Sequence, residues 1–181
     1  MKAVPNILSI LRLALAPFIF SFLWAGDYRA SLLLFGVAAA TDALDGFVAR
    51  RWRAESRTGA VLDPIADKVL LSGTYLTLAL SGGIPAWIAW IVLGRDALIL
   101  LVAGGLLALT GKRREFPPSA WGKISTIAQA AFVVAVLVDV RSAAQVLMWA
   151  VAALTVLSGV DYARRVRQRT NLPMNTVGQA G

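Results

Sequence analysis

Apolar residues dominate six long stretches of the chain, and short polar or glycine-containing segments separate them. A helix needs about 20 mostly apolar residues to cross a bilayer, and each stretch is close to that length. The predicted helices cover residues 6–25, 29–50, 60–81, 85–109, 122–139 and 143–163. The pattern therefore predicts an all-α, polytopic membrane protein whose six transmembrane helices form an antiparallel bundle.

The breaks between these stretches contain residues that favour turns. Gly26-Asp27 follows the first stretch, Ser81-Gly82-Gly83 follows the third, and the segment 111–118 contains glycine and proline. Because the connections are short, we expect a single transmembrane domain over residues 1–168. The remaining residues, 169–181, are polar, and we expect them to form a disordered tail.

The composition supports a membrane protein and limits which side chains could take part in catalysis. Of 181 residues, 58% are hydrophobic and 15% are charged, which is too apolar for a soluble domain of this size. The absence of Cys and His excludes disulfides, zinc sites of the usual kind and Ser-His or Cys-His nucleophile pairs. Catalysis would therefore depend on carboxylates, Lys, Arg and bound metal ions.

The basic residues predict an orientation. The net charge of +8 does not indicate nucleic-acid binding, because the basic residues lie in short clusters between apolar stretches. Alternate connections differ sharply: one set contains only Arg29 and Arg141, and the other set contains all the clusters. Those clusters are Lys2; Arg50, Arg51, Arg53 and Arg57; Lys112, Arg113, Arg114 and Lys123; Arg164, Arg165, Arg167 and Arg169. By the positive-inside rule both termini are cytoplasmic, and we expect a bacterial inner membrane.

The segment 41–68 carries the candidate chemistry. Asp42, Asp45, Gly46, Ala49 and Arg50 are spaced so that they share one face of a helix. In the following helix Asp63 and Asp67 are an i, i+4 pair, and Gly59 precedes them. Two helices joined by a short loop can therefore bring four carboxylates together at the cytoplasmic ends of the second and third helices.

Four carboxylates in one place repel each other unless cations lie between them. Two divalent ions, Mg²⁺ or Mn²⁺, suit carboxylate oxygens and also bind substrate phosphates. Internal ion pairing alone is a structural alternative, with Arg12, Arg50, Lys68 and Arg95 as partners. A proton or cation pathway is a non-enzymatic alternative, although its carboxylates would follow a file near mid-bilayer rather than cluster at one end.

The order D-x2-D-G-x2-A-R-x8-G-x3-D-x3-D resembles the signature of the CDP-alcohol phosphatidyltransferases, and all eight residues are present at the expected spacing. The resemblance implies a six-helix membrane enzyme, usually a homodimer, that uses CDP-diacylglycerol. It implies that Asp42, Asp45, Asp63 and Asp67 bind two metal ions. Asp67 is the candidate general base, and the CDP-diacylglycerol contacts would come from Asp42, Gly46, Ala49, Arg50 and Gly59.

A second similarity lies in the first helix. Asn6, Ser9 and Arg12 are spaced by three and share a face, which also fits a simple proline-led helix start with a polar cap. The stretch is similar to the P-N-x-x-T-x-x-R opening of the phosphatidylglycerophosphate and cardiolipin synthase branches, with Ser9 in place of Thr. The resemblance implies that Asn6 and Ser9 contact the nucleotide.

Four basic residues are candidates for binding an anionic acceptor: Arg12, Lys68, Arg95 and Lys123. Arg95 could instead form only an internal salt bridge with Asp96, and Lys123 could extend to the membrane surface. In the similar branches an Arg-acidic pair and a G-K-x-x-T element help form the acceptor pocket. The acceptor would be phosphatidylglycerol or glycerol 3-phosphate, and Asp rather than Glu at position 96 favours phosphatidylglycerol.

Overall fold

The computed structural model describes the backbone of residues 4–52, 59–110 and 120–170, and the side chains of 10–41, 66–102, 105 and 120–165. Within these residues the chain forms six α-helices and no strands. The helices are α1 Val4–Trp24, α2 Tyr28–Trp52, α3 Gly59–Leu80, α4 Ala86–Thr110, α5 Ala120–Leu137 and α6 Arg141–Thr170. The all-helical prediction and all six predicted segments are confirmed to within a few residues at most ends.

The end of α6 differs most from the prediction. The apolar pattern ends near residue 163, but α6 continues through the basic cluster to Thr170. Two residues of the expected tail, 169 and 170, are therefore helical, and residues 171–181 lie outside the described part of the chain.

Tight turns end two of the helices where the sequence predicted breaks. Gly26 and Gly82 have φ values of 76° and 81°, a left-handed conformation that glycine adopts without a steric penalty. After the first of these turns, the backbone N–H of Ala30 donates to Asp27 Oδ1 at 3.0 Å and caps α2. These turns reverse the chain within a few residues, so the connected helices are antiparallel neighbours.

The core lies where α3 meets the other helices. The third helix packs against α1, α4 and α5, while α6 packs against α4 and α5. Tyr75 is fully buried, its ring lies 5.9 Å from that of Phe132, and its hydroxyl donates to the Gln129 carbonyl at 3.1 Å. This packing holds the second half of α3, about two turns beyond Asp67 and Lys68, against α5.

Membrane-spanning character is clearest in the last two helices. Among the residues searched, Ala120–Leu137 and Arg141–Arg165 are long and apolar enough to cross a membrane, and Ile10–Trp24 and Tyr28–Thr41 are shorter apolar segments. Length and hydropathy therefore support two of the six predicted spans directly. Large apolar side chains are nevertheless exposed on all six helices, including Phe18, Leu33, Leu80, Leu101, Ile127 and Trp149.

Candidate active site

The acidic segment, which comprises residues 41–68, has its carboxylates on two consecutive helices. The backbone of α2 is helical through positions 42–50. The predicted set on this helix therefore shares one helix face, and it consists of Asp42, Asp45, Gly46, Ala49 and Arg50. Helix α3 begins at Gly59, which places Asp63 and Asp67 one turn apart near its start. Both helices pack against α1. The side chains of residues 42–65, and with them Asp42, Asp45 and Asp63, lie outside the described residues.

Asp67 and Lys68 are the part of this segment whose side chains the structure describes. Both are partly buried, and they are neighbours in the third turn of α3. Because successive helix residues differ by about 100°, the two side chains point to different neighbours. Lys68 extends toward α4, where it meets the predicted Arg95–Asp96 pair.

The carboxylate of Asp96 is the centre of this meeting point. Its Oδ1 accepts hydrogen bonds from Lys68 Nζ at 2.5 Å and from Arg95 Nη1 at 2.7 Å. Its Oδ2 accepts a bond from the Ser72 hydroxyl at 3.2 Å. Arg95 Nη2 also donates to the Ser158 hydroxyl of α6 at 2.9 Å. Three helices thus contribute to one polar cluster, which consists of Lys68, Ser72, Arg95, Asp96 and Ser158.

The charge of this polar cluster is not balanced. Lys68 and Arg95 carry two positive charges and Asp96 carries one negative charge, so one positive charge remains. Asp96 is 5% exposed, and the side chain of Arg95 is 9% exposed. A buried site with a net positive charge attracts anions, because low polarity strengthens the attraction. Among the described side chains, the cluster therefore carries one more positive charge than a neutral salt bridge.

The other predicted acceptor residues, Arg12 and Lys123, are not part of the polar cluster. Arg12 is buried at 1% exposure in α1, the helix that packs against α3. Lys123 is exposed near the start of α5 and forms no ion pair within the described part of the chain. The side chains of Asn6 and Ser9 lie outside the described residues, although their backbone is part of α1. Of the four predicted acceptor residues, Lys68 and Arg95 lie together, because both form ion pairs with Asp96.

A second polar network, between α5 and α6, was not predicted. Gln129 Nε2 donates to Thr155 Oγ1 at 3.1 Å and to Ser125 Oγ at 3.3 Å, and the two hydroxyls are 3.2 Å apart. All three side chains are buried at 1% exposure or less. The sequence offered one clue, since Ser125 and Gln129 are an i, i+4 polar pair inside an apolar stretch.

An open groove of about 460 Å³ lies between α4 and α6. Its lining is mainly apolar and includes Trp90, Leu98 and Val160, and Arg95 is the charged residue in it. Gly94 and Gly159 lie on opposite sides and keep the groove free of larger side chains. The guanidinium of Arg95 therefore lies between the polar cluster and an apolar surface.

The donor set fits divalent metal ions. Within the side chains that the structure describes, no three acidic side chains come together, but three of the four predicted ligands are not in that set. The helical backbone at positions 42, 45, 63 and 67 keeps the spacing that places each pair of carboxylates on one helix face. Carboxylate oxygens are the ligands that Mg²⁺ and Mn²⁺ prefer, so residues and ions are chemically compatible.

Comparison with known proteins identifies the protein family that this chain resembles. The family model described as CDP-alcohol phosphatidyltransferase matches residues 2–157, which include the acidic segment and every residue of the polar cluster except Ser158. A probable phosphatidylglycerophosphate synthase of Mycobacterium tuberculosis is 34% identical, over 88% of this chain and 79% of its own length. A CDP-diacylglycerol–glycerol-3-phosphate 3-phosphatidyltransferase of Yersinia pestis is 35% identical, over 88% of this chain and 92% of its own length.

A third relative aligns with a shorter part of this chain. Cardiolipin synthase (CMP-forming) of Rattus norvegicus is 39% identical over 98 residues, which are 54% of this chain and 32% of that protein. The alternative of a non-enzymatic cation pathway finds no support in these relatives, all of which are named as synthases or transferases. The family match and the long alignments show that this chain belongs to the CDP-alcohol phosphatidyltransferase family and is an enzyme of phospholipid biosynthesis.

Proposed function

We propose that the enzyme transfers the phosphatidyl group of CDP-diacylglycerol to glycerol 3-phosphate and releases CMP. The observation that carries this choice of acceptor class is the polar cluster. Its buried Arg95 and Asp96 and its partly buried Lys68 have a net positive charge, which suits a phosphate-bearing acceptor. The Mycobacterium and Yersinia relatives align over most of both chains, and their names favour glycerol 3-phosphate over phosphatidylglycerol, the acceptor that residue 96 had suggested.

The proposed reaction is a displacement at the β-phosphorus of CDP-diacylglycerol. A hydroxyl oxygen of glycerol 3-phosphate attacks the phosphorus, and Asp67 accepts the hydroxyl proton. A new phosphodiester bond forms, the pyrophosphate bond breaks, and CMP leaves with the bonding electrons. Lys68 follows Asp67 directly in α3, so an acceptor whose phosphate is bound by Lys68 and Arg95 would lie beside the turn of α3 that carries the base.

The acidic residues would also hold the metal ions, which the family generally uses. Asp42, Asp45, Asp63 and Asp67 are the proposed ligands of two divalent ions, whose positive charge stabilises the pyrophosphate and the departing CMP. Asn6, Ser9, Gly46, Ala49, Arg50 and Gly59 are the proposed contacts to the nucleotide. Small residues at three of these positions would allow close approach of the cytidine and its phosphate.

We also propose that all six helices cross the membrane as one catalytic domain, over residues 1–168, and that the enzyme is a homodimer. Family membership and the apolar exposed side chains on every helix support the membrane part of this proposal. The diacylglycerol chains would then stay in the bilayer during transfer. The head group would meet the cytoplasmic ends of α2 and α3, where the acidic segment lies.

The cardiolipin synthase reaction is the second candidate. The 39% identity to the rat enzyme over 98 residues is the observation that favours it. Phosphatidylglycerol also presents a glycerol hydroxyl beside a phosphate, so the positive cluster would accept it by the same chemistry. The two candidates differ only in whether the acceptor carries acyl chains.

One assay separates the candidates. The purified enzyme receives CDP-diacylglycerol with both acceptors at equal concentration, in Mg²⁺ or Mn²⁺, and lipid products and CMP are measured by mass spectrometry. We expect phosphatidylglycerophosphate and an equal amount of CMP. Accumulation of a four-chain lipid would instead establish phosphatidylglycerol as the acceptor. CMP release with neither acceptor would refute both candidates.

A further inference from the structure

Helix α6 carries none of the residues assigned to the proposed chemistry, yet it contacts two helices that do. Its buried hydroxyls, Thr155 and Ser158, are each 1% exposed and are three residues apart, so they share one face. Ser158 contacts Arg95 of α4, and Thr155 contacts Ser125 and Gln129 of α5. Side-chain hydroxyls in apolar helices either bond to their own backbone or join helices, and these two join helices.

The contact with Arg95 fixes the orientation of its guanidinium. Arg95 Nη1 is held by Asp96 at 2.7 Å, and Nη2 is held by Ser158 at 2.9 Å. The planar guanidinium is thus held from two sides, by α4 itself and by α6, while its Nε remains without a partner among the described residues. An Nε donor that is buried and unsatisfied is available to an incoming anion, provided that the guanidinium keeps this orientation.

The backbone around Ser158 leaves room for this arrangement. Position 159 is glycine, and a Cβ built there would lie 3.9 Å from Arg95 Cγ, an ordinary van der Waals distance. The side chain of Arg95 therefore passes position 159 without a clash, and hydrogen bonds to Asp96 and Ser158 hold its head group. Lys68 has a different support, since it bonds to Asp96 and, within the side chains that the structure describes, not to α6.

We infer that Ser158 is a positioning residue of the acceptor site: it holds the Arg95 guanidinium in the orientation that binds the phosphate of the acceptor. This inference rests on the proposed function and extends it to a helix that carries no assigned site residue. Because Ser158 acts through Arg95, its loss impairs acceptor binding and leaves CDP-diacylglycerol binding unchanged.

The test is a set of steady-state measurements on Ser158→Ala, Ser158→Thr and the unmodified enzyme, with glycerol 3-phosphate and then phosphatidylglycerol as acceptor. We expect Ser158→Ala to raise the acceptor KM about 10-fold, as for loss of one hydrogen bond to a charged group. The KM for CDP-diacylglycerol should stay within about twofold. Ser158→Thr keeps the hydroxyl and should restore most of the acceptor affinity.

A matched control removes a buried hydroxyl elsewhere. Thr74 is fully buried, and among the described residues its hydroxyl bonds only to the Leu70 carbonyl of its own helix. Thr74→Val should leave the acceptor KM unchanged. A Ser158→Ala change made in an Arg95→Met background should have no further effect on the acceptor KM, because the group that Ser158 orients is then missing.

The outcomes are distinct. An unchanged acceptor KM in Ser158→Ala, or an equal rise in both KM values, would overturn the positioning role while leaving the proposed reaction intact. A similar rise in Thr74→Val would also overturn it, since the effect would then be general loosening of the bundle. If the unmodified enzyme used neither acceptor, the proposed function would fail and this inference would fail with it.

Discussion

The carboxylate of Asp96 accepts bonds from two cations at 2.5 and 2.7 Å and is 5% exposed. Asp96→Asn removes the negative charge and leaves Lys68 and Arg95 facing each other in an apolar interior. We expect a loss of about 3–5 kcal/mol in unfolding free energy, as for a buried pair that loses one partner. Thermal unfolding of the purified protein in detergent measures the change as a lower Tm.

Asp161 provides the control for this change. Its carboxylate bonds to Arg165 one turn later at 3.0 Å, but the Arg165 side chain is 47% exposed. Asp161→Asn should therefore cost only about 0.3–0.5 kcal/mol. Equal losses for Asp96→Asn and Asp161→Asn would show that the cluster is not the buried charge centre described above.

A second residue-scale prediction concerns Asp67. Asp67→Asn should lower turnover by about 10²-fold or more, because the amide offers an oxygen to a metal ion but cannot accept a proton. CDP-diacylglycerol binding should be largely retained. Asp42→Asn should instead weaken binding of both nucleotide and metal. Binding is measured as the rise in Tm with CDP-diacylglycerol and Mg²⁺, and normal turnover of Asp67→Asn in added Mg²⁺ would show that Asp67 is not the base.

At the scale of elements, the approach of α1 to α3 depends on one glycine. A Cβ built on Gly73 would lie 2.2 Å from Cζ of Phe20, so Gly73→Ala forces the Phe20 ring out of its place. We expect a loss of about 1–3 kcal/mol, which is typical of an overpacked contact. Phe20→Leu in the same chain should recover part of that loss, and Tm in detergent measures both.

Gly36 is the matched position for this test. It also lies within a helix, but no described atom lies within 4 Å of a Cβ built there. Gly36→Ala should be neutral or slightly stabilising, because alanine favours the helix by about 1 kcal/mol over glycine. A loss at Gly36 as large as that at Gly73 would indicate a general effect of the substitution and not the Phe20 contact.

The elements were predictable because their signals are local. Apolar stretches of about 20 residues gave the helices, and Gly26 and Gly82 gave two of the turns, where their φ values are positive. The turn between α5 and α6 has no glycine. There Asp139 adopts a φ of 58°, and the predicted boundaries are two residues too late on both sides, 139 and 143 against Leu137 and Arg141.

The candidate site was predictable only where its residues are close in sequence. The acidic segment is recognisable from the spacing of its carboxylates within each of two helices. Arg95 and Asp96 are adjacent in the sequence. The bond between Arg95 and Ser158 joins residues 63 positions apart, and the contact between Gln129 and Thr155 joins residues 26 apart. Such pairs depend on how helices pack, which a single sequence does not specify through any local pattern.

At the scale of the whole molecule, charge is distributed along the bundle axis. Antiparallel helices place the turns at residues 25–27, 81–85 and 138–140 at one end, where Arg29 and Arg141 are the nearest basic residues. The C-terminal ends of α2, α4 and α6 lie at the other end, and in the sequence the basic clusters occur at or just after these helix ends. The acidic segment on α2 and α3 lies toward the basic end, which the positive-inside rule predicts to face the cytoplasm.

This distribution predicts the topology, and the absence of cysteine makes it testable on the full-length chain. Single cysteines introduced as Ser81→Cys and Ser142→Cys should react in intact cells with a membrane-impermeant maleimide, because both serines are exposed at the weakly charged end. Ser56→Cys and Ser119→Cys should react only after the cells are permeabilised. Retained activity of each variant shows that the fold is intact. Labelling of Ser56→Cys in intact cells would place the acidic segment outside, away from cytosolic nucleotides, and would contradict both the orientation and the proposed site of CMP release.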